Sequence, residues 1–480
     1  NPIFMVNYYE NIPFSAKFAT DFDNNKVYNN MSKDIRIRKG LDINLIGAAE
    51  QTTSKAVLSN VYALNLNDFH GITPKMLIKQ GEEVKAGEPL FYNKNKEEMH
   101  FVSPVSGELV EIVRGARRKI LTLKILADKT QKYTQSKVPD LDTADAATIK
   151  TFLLQNGGWP FIKQRPYDII ANPDVTPKAI FVSAYTTAPL AANADYVLRD
   201  KEQELQAAVM ALRKMTPGKI HVTVGKSGRS PFVHVEGIEL HKISGPHPAG
   251  LVGTQINKID PINKGETVWT ISPQDMVLIG ELLLTGKFNA ERIVALAGSI
   301  IKAPQYYTTK IGAEISTFLY ASGVNKDRFR LINGDVLTGS KTNTEGHLGY
   351  YNNTVTAIPE GDDYDFFGWN RPIFNKVSTT RALTFSWLQP KKKYNLDTNT
   401  NGEHRAFVVT GQYEQVFPMD IYPLQLLKAC MVGDLDDMEQ LGLYEVAPED
   451  FSLTEFICIS KQPHQQIIRE GLDLLQKELG

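Results

Sequence analysis

The stretch that decides the fold runs from Leu77 to Ile125: LIKQGEEVKAGEPLF (77–91), YNKNKEEMH (92–100) and FVSPVSGELVEIVRGARRKILTLKI (101–125). Short runs of alternating apolar and polar residues are punctuated by Gly81 and Gly87, then by Gly107 and Gly115. Alternation places every second side chain on one face, and glycine at the breaks permits tight reversals. The stretch therefore predicts paired hairpins closing a small flattened barrel.

Those residues resemble the biotinyl/lipoyl carrier fold, whose usual task is to swing a covalently attached group from a lysine at a hairpin tip. The attachment motif is absent. A biotin carrier has Glu-Ala-Met-Lys-Met there and a lipoyl carrier an Asp-Lys-Ala tip, whereas this chain has Lys94, Asn95, Lys96, Glu97, Glu98 and Met99. Lys96 is the nearest positional match, counted back from Ser103-Pro104, but its neighbours are wrong. No covalent attachment is expected, and the barrel reads as a structural module.

At 480 residues the chain has room for three or four domains. Its 53 basic and 54 acidic residues give a net charge of -1, which leaves no nucleic-acid footprint. Cys430 and Cys458 form no Cys-x-x-Cys, so neither a disulfide framework nor a cluster ligated by this chain alone is expected, and a reducing compartment is the natural reading. There is no apolar run of about 18 residues, and the amino terminus lacks the pattern of a secretory signal. Residues 1–30 are rich in Asn and aromatics without periodicity, and a natural start at Met31 is expected.

From Met31, IRIRKGLDINLIGAAEQ predicts a strand, a turn at Gly40 and a second extended segment. A polar, proline-containing linker after residue 127 leads into a helix over 144–154, closed by Asn156-Gly157-Gly158. IFVSA (180–184) and IHVTV (220–224) suit buried strands, and the helical spacing of Leu205, Val209 and Leu212 between them implies a right-handed parallel crossover. This Rossmann-like layer lacks Gly-x-Gly-x-x-Gly. Gly225-Lys226-Ser227 is no phosphate loop either, because the required earlier glycine position is Ile220.

Further on, GPHPAGLVGT (245–254) must be a chain of fixed turns around His247. Asn289 is expected to cap a helix over AERIVALAGSIIK (290–302). GAEISTFLYASG, RFRLINGDVLTG and the Asn333-Gly334 turn read as helix, strand, turn and strand, in the manner of a soluble-ligand-binding β-grasp (SLBB-type) module. The chain then becomes aromatic at Tyr350, Tyr351, Tyr364, Phe366, Phe367 and Trp369. Strands are expected around VTAI and FVVT, bracketing a basic run at Lys391, Lys392 and Lys393, which reads as a solvated loop. The last hundred residues turn helical, with Tyr422–Met431 and Gln465–Leu479 the clearest helices. Asp436 and Glu439 are read as a capping box, since the EF-hand pattern fails at Met438 and Glu439.

The expected class is α+β and multidomain. Its divisions are an extension over 1–30, a carrier-like barrel over 31–140, a Rossmann-like layer over 141–275, a β-grasp module over 276–375 and a mostly helical region over 376–480. Motifs of self-contained catalysis are missing: there is no His-Glu-x-x-His, Gly-x-Ser-x-Gly or kinase set. His241 and His247 are six apart, unsuited to one helical face, while His100, His221 and His234 look scattered, so no metal site is expected. One component of a larger complex is favoured over a stand-alone enzyme.

Taken in order, RIRKGLDINLIGAAEQ, the hairpins, IFVSAYTTAPLA, GPHPAGLVGTQINKIDPINKGETVWTISPQDMVLIG, the β-grasp stretch, LGYYNNTVTAI and GQYEQVFPMDIYPLQLLKACMVGD resemble one family over residues 31–480. It is the NqrA family of the bacterial sodium-translocating NADH:quinone oxidoreductases. The resemblance implies a peripheral subunit on the cytoplasmic face of the inner membrane, in a respiratory complex that oxidises NADH, reduces ubiquinone and exports sodium. It implies quinone as substrate and no cofactor on this chain, with flavins and the iron-sulfur centre on partner subunits. It also implies docking on NqrB, the membrane-embedded subunit. A quinone site needs an apolar slot with one or two polar groups aimed at the carbonyl oxygens. On that chemistry His247, Tyr350 and Tyr351 are the candidates; no catalytic residue is assigned. A scaffold with relic folds is the alternative. A flavin- or NADH-binding subunit of the Rnf or complex I type is disfavoured by the missing glycines and cysteines.

Overall fold

The computed structural model describes residues 31–226, 228–361, 366, 388 and 392–480. Residues 1–30, Ser227, Tyr364, Phe367, Trp369 and Lys391 lie outside the described residues.

The decisive stretch folds as two facing sheets. One runs Val61–Asn65, Ile120–Ala127, Gly107–Arg114, Glu83–Val84 in spatial order; the other runs Pro74–Met76, Pro89–Asn93, Lys96–Val102. All their pairings are antiparallel. Leu64, Leu90, Phe101, Leu109, Leu123 and Ile125 are buried between them. The tip at Lys94-Asn95 is a tight reversal, with Asn93 paired to Lys96.

The next layer is a seven-stranded sheet ordered Met31–Arg36, Glu239–Ser244, Ile220–Gly225, Ile180–Ala184, Val268–Thr270, Lys163–Arg165, Ile169–Ile170. Its first five strands are parallel and its last two antiparallel. Helix Glu202–Lys214 forms the crossover between the 180–184 and 220–225 strands, burying Leu205, Val209 and Leu212 as their spacing requires. Helix Pro273–Thr285 starts on a Ser272 side-chain cap and lies against that crossover. The approach is so close that a Cβ on Gly280 would fall 1.8 Å from the Glu204 carbonyl oxygen. The division expected at 275/276 therefore cuts a helix that belongs to this layer.

A six-stranded sheet follows, ordered Ser340–Thr342, Phe329–Asn333, Thr354–Pro359, Glu291–Ala297, Gln305–Lys310, Glu50–Lys55, with helix Ser316–Ser322 against it. The helix expected after Asn289 is thus a strand. Residues 292 and 294–297 are buried there, and a short run buried on both faces carries no period that separates strand from helix. The VTAI strand is present, but FVVT (407–410) is irregular, with Val409 73% exposed and so without a sheet face to join.

The span 31–140 does not form one unit. Its first strand pairs with 239–244 and its second with 305–310, so residues 31–55 stitch the other two sheets together before the barrel begins. The carboxyl-terminal region is helical over Pro423–Val432, Leu435–Gln440, Ser452–Ile457 and His464–Leu479. The Leu435–Gln440 helix is capped by Asp434, whose side chain accepts the Asp437 N–H at 3.1 Å, and not by Asp436. Among the described residues no helix is long and apolar enough to cross a membrane.

Candidate functional site

The expected site residues fall in two places. Tyr350 and Tyr351, just before the Thr354–Pro359 strand, enter an aromatic junction where the barrel, the seven-stranded layer and the six-stranded sheet meet. The Tyr350 ring stacks on Phe161 (4.8 Å between centroids, 10° between planes) and meets Phe69 edge-on at 4.7 Å. Phe69 in turn packs on the stacked pair Phe91 and Phe101 inside the barrel. The Tyr350 N–H donates to Asp68 Oδ2 at 2.8 Å, and burial raises that carboxyl. Tyr351 donates its hydroxyl to the Pro160 carbonyl at 2.8 Å and carries the Lys163 ammonium 4.4 Å above its ring.

One polar atom in this junction is left over. The Tyr350 hydroxyl is buried and finds no hydrogen-bond partner among the described residues. Burial drives its acidity far below that of an ordinary phenol, so it is a neutral hydroxyl with a proton to donate. Nearby, the Arg292 guanidinium is buried against the Asp275 carboxylate and stands 5.8 Å from the Phe161 ring centroid.

His247 is elsewhere. It follows the Glu239–Ser244 strand, with Nδ1 3.1 Å from Thr187 Oγ1 and its N–H on Asp42 Oδ1 at 3.0 Å. Its carbonyl accepts the Leu41 N–H at 2.8 Å and would lie 2.1 Å from a Cβ on Gly40, which sits at φ +145°, so glycine is required there. Nε2 is buried without a partner among the described residues. Burial pushes the imidazole down to about 4, against the opposing pull of Asp335 and Asp42, and the ring is neutral at physiological pH. No hydrogen bond or ring contact joins His247 to the tyrosine pair among the described residues.

The glycines around His247 have architectural roles. Gly245 passes under Ile37, and Gly253 passes beside a buried ion pair between Arg165 and Asp450, where a Cβ would meet both side chains within 2.4 Å. That pair, Nη1 to Oδ2 at 2.6 Å, is not legible in the sequence, because its partners are 285 residues apart. Lys96, the carrier-like lysine, makes an ion pair with Asp174 of the seven-stranded layer, which fastens the hairpin tip to its neighbour.

Of the histidines read as scattered, His221 is not isolated, whereas His100 lies in the barrel and His234 in the Pro231–His234 turn. His221 and His241 occupy adjacent parallel strands, their Nδ1 and Nε2 atoms 3.0 Å apart. The signal lies in IHVTVG and ELHKIS, each with a histidine near a strand start, but reading it needs the knowledge that these strands are neighbours.

Three family models match in succession: the NqrA N-terminal barrel-sandwich hybrid domain over residues 35–128, the NqrA second alpha/beta domain over 144–288, and the NQRA C-terminal domain over 293–344. The A subunit of the Na(+)-translocating NADH-quinone reductase of Rhodopirellula baltica is 36% identical over 448 residues, covering 92% of this chain and 98% of its own. The chain belongs to the NqrA family. The corresponding NqrA proteins from Neisseria meningitidis and Vibrio atlanticus are each 35% identical, covering 92% of this chain and 100% of their own. NqrA is thereby one component of an oxidoreductase complex, the Na(+)-translocating NADH-quinone reductase, and takes part in sodium transport coupled to respiratory electron transfer. Among solved structures, a chain of an NAD+-reducing [NiFe]-hydrogenase aligns at TM-score 0.32 and 12% identity over 48% of this chain and 52% of that one, a likeness that bears on neither fold nor function.

Proposed function

We propose that this NqrA chain is a peripheral subunit on the cytoplasmic face of the bacterial inner membrane, docks on the membrane-embedded NqrB and presents a contact for quinone. Flavins and the iron-sulfur centre belong to its partners in this reading, and the chain does no redox chemistry alone. Support for the assembly role comes from the family match along nearly the whole chain. The barrel, its tip lysine already engaged by Asp174, serves as a docking module.

The quinone contact rests on one observation, the Tyr350 hydroxyl, buried and unpartnered inside an aromatic wall. A quinone ring stacks on aromatic faces, and its carbonyl oxygens accept hydrogen bonds from neutral donors. Tyr351 and the His247 imidazole are the secondary candidates. The scaffold reading is favoured by a different fact: Phe69, Phe161 and Tyr350 are no more than 3% exposed, so the junction is packed at rest. Quinone entry there requires the three modules to part.

Titration of purified NqrA and of the intact complex with a photoreactive ubiquinone analogue separates the two. Saturable labelling at residues 346–351 or 245–250, reduced several-fold by Tyr350→Phe or His247→Gln, supports the quinone contact. Stable association with NqrB without saturable labelling makes the chain a scaffold. A flavin spectrum on the purified chain would replace both.

A further inference from the structure

We propose that His221, Glu239 and His241 form a structural binding site for a divalent cation of the zinc class. The inference is independent of the quinone reading.

Strand geometry assembles the site. His221 on the Ile220–Gly225 strand is the register partner of Glu239 on the neighbouring parallel strand, and His241 lies two residues further along that strand. Side chains two apart share a face, so all three project to the same side of the sheet. One ligand atom from each lies within 4.8 Å of the others. His221 Nδ1 is 3.0 Å from His241 Nε2 and 3.6 Å from Glu239 Oε2. Ligands at about 2.0–2.1 Å from a tetrahedral zinc stand roughly 3.3 Å apart, and these two separations bracket that edge.

The surroundings prepare the ligands. Phe181, the register partner of His221 on its other side, stacks on the imidazole at 4.9 Å, and Ile256, Ile259 and Ile262 complete an apolar wall. Burial lowers the basicity of both imidazoles, His241 to about 4, so each is neutral at physiological pH. For Glu239, burial works against ionisation, but the hydrogen bond and charge of Lys219 outweigh it and hold the carboxyl below its usual range. Lys219 grips Oε1, which leaves Oε2 turned to His221; an outer partner of this kind orients a ligating carboxylate. Lys33, a further cation near the cluster, gives its ammonium to the Ile259 carbonyl at 2.8 Å and so caps the end of helix Val252–Ile259. Asp260 adds a further negative charge near His221.

Position assigns the role. The cluster lies at the amino-terminal ends of the parallel strands, opposite the carboxyl-terminal edge where such sheets bind substrates. A cation held there clamps the 239–244 strand to the 220–225 strand, and with it the edge strand 31–36.

The test uses full-length purified NqrA, freed of metal by chelator and titrated with Zn2+ and separately with Co2+. One equivalent per chain is expected, with a Tm raised by several degrees and a cobalt spectrum of nitrogen and oxygen ligation. His221→Gln, His241→Gln and Glu239→Gln should each weaken binding by at least the roughly ten- to hundredfold that losing even an outer partner costs, while His234→Gln leaves it unchanged. Absence of saturable binding, unaltered affinity in the His221 and His241 variants, or a thiolate-to-cobalt band pointing to Cys430 or Cys458 would each overturn the proposal. Should a variant fail to fold, X-ray absorption of the wild-type zinc form, expected to show two imidazoles and oxygen, decides alone.

Discussion

Two seams leave the same ten residues, WPFIKQRPYD (159–168), and hold the seven-stranded layer to its neighbours by opposite means. Towards the barrel and the six-stranded sheet, Phe161 enters the junction of Phe69, Tyr350 and Phe288, joined by ring contacts. Towards the carboxyl-terminal helices, Arg165 is buried between Asp450 and Glu449, while Arg469 donates to the carbonyl of Tyr167 at 2.5 Å. The aromatic seam gains from area removed from water and tolerates approximate fit. The ionic seam offsets a large desolvation cost only while its geometry is complete. One seam degrades gradually and the other fails at once.

The sharpest way to break that contrast is Arg165→Leu. Among the described residues Asp450 Oδ2 would keep the Ala447 N–H, at 2.9 Å, and a buried carboxylate would lose its cation. We expect about 3–5 kcal/mol of destabilisation in chemical denaturation, with the carboxyl-terminal helices released first in hydrogen exchange. A loss below about 1 kcal/mol would mean that water already reaches the pair. On the other seam, Phe161→Ala removes a ring that is 1% exposed and should cost about 3 kcal/mol. Phe161→Leu should recover more than half of that loss, whereas Arg165→Lys, lacking the fork, should recover little.

Acid should weaken the carboxyl-terminal helices on which the ionic seam closes. His464, at the start of helix His464–Leu479, is fully buried with Nδ1 2.9 Å from Thr454 Oγ1, and burial pushes it from 6.5 down to about 4. The unfolded chain therefore takes up this proton first. Its contribution is complete above pH 6.5 and is lost as pH falls towards 4, by up to about 1.4 kcal/mol per pH unit. His464→Gln should flatten the stability profile in that window, seen as a smaller drop in Tm. The smallest effect is expected for Tyr350→Phe, since its hydroxyl has no partner to lose among the described residues. Stability should change by less than about 1 kcal/mol, and a larger loss would reveal a buried water bound there.

Legibility follows the range of the interactions. The barrel hairpins, the 202–214 crossover and the terminal helices are readable because their buried faces repeat with a period of 2 or 3.6. The strand at 291–297 reads as a helix because a run buried on both faces has no period to separate the two. Composition picks out Tyr350 and Tyr351, yet nothing in the sequence says that Phe69 and Phe161 face them. His221 and His241 look unrelated until their sheet neighbourhood is known.

From the chain's own letters come the kinds of elements, the missing carrier and phosphate-loop motifs, and, through likeness along its length, the NqrA family. It takes the assembled fold to show that residues 31–55 serve two other sheets, that Gly253 makes room for an ion pair, and that a Glu-x-His strand meets a third ligand. The physical reason is that local periodicity records which face of an element is buried. It does not record against what, and every site described in this molecule is built from that second fact.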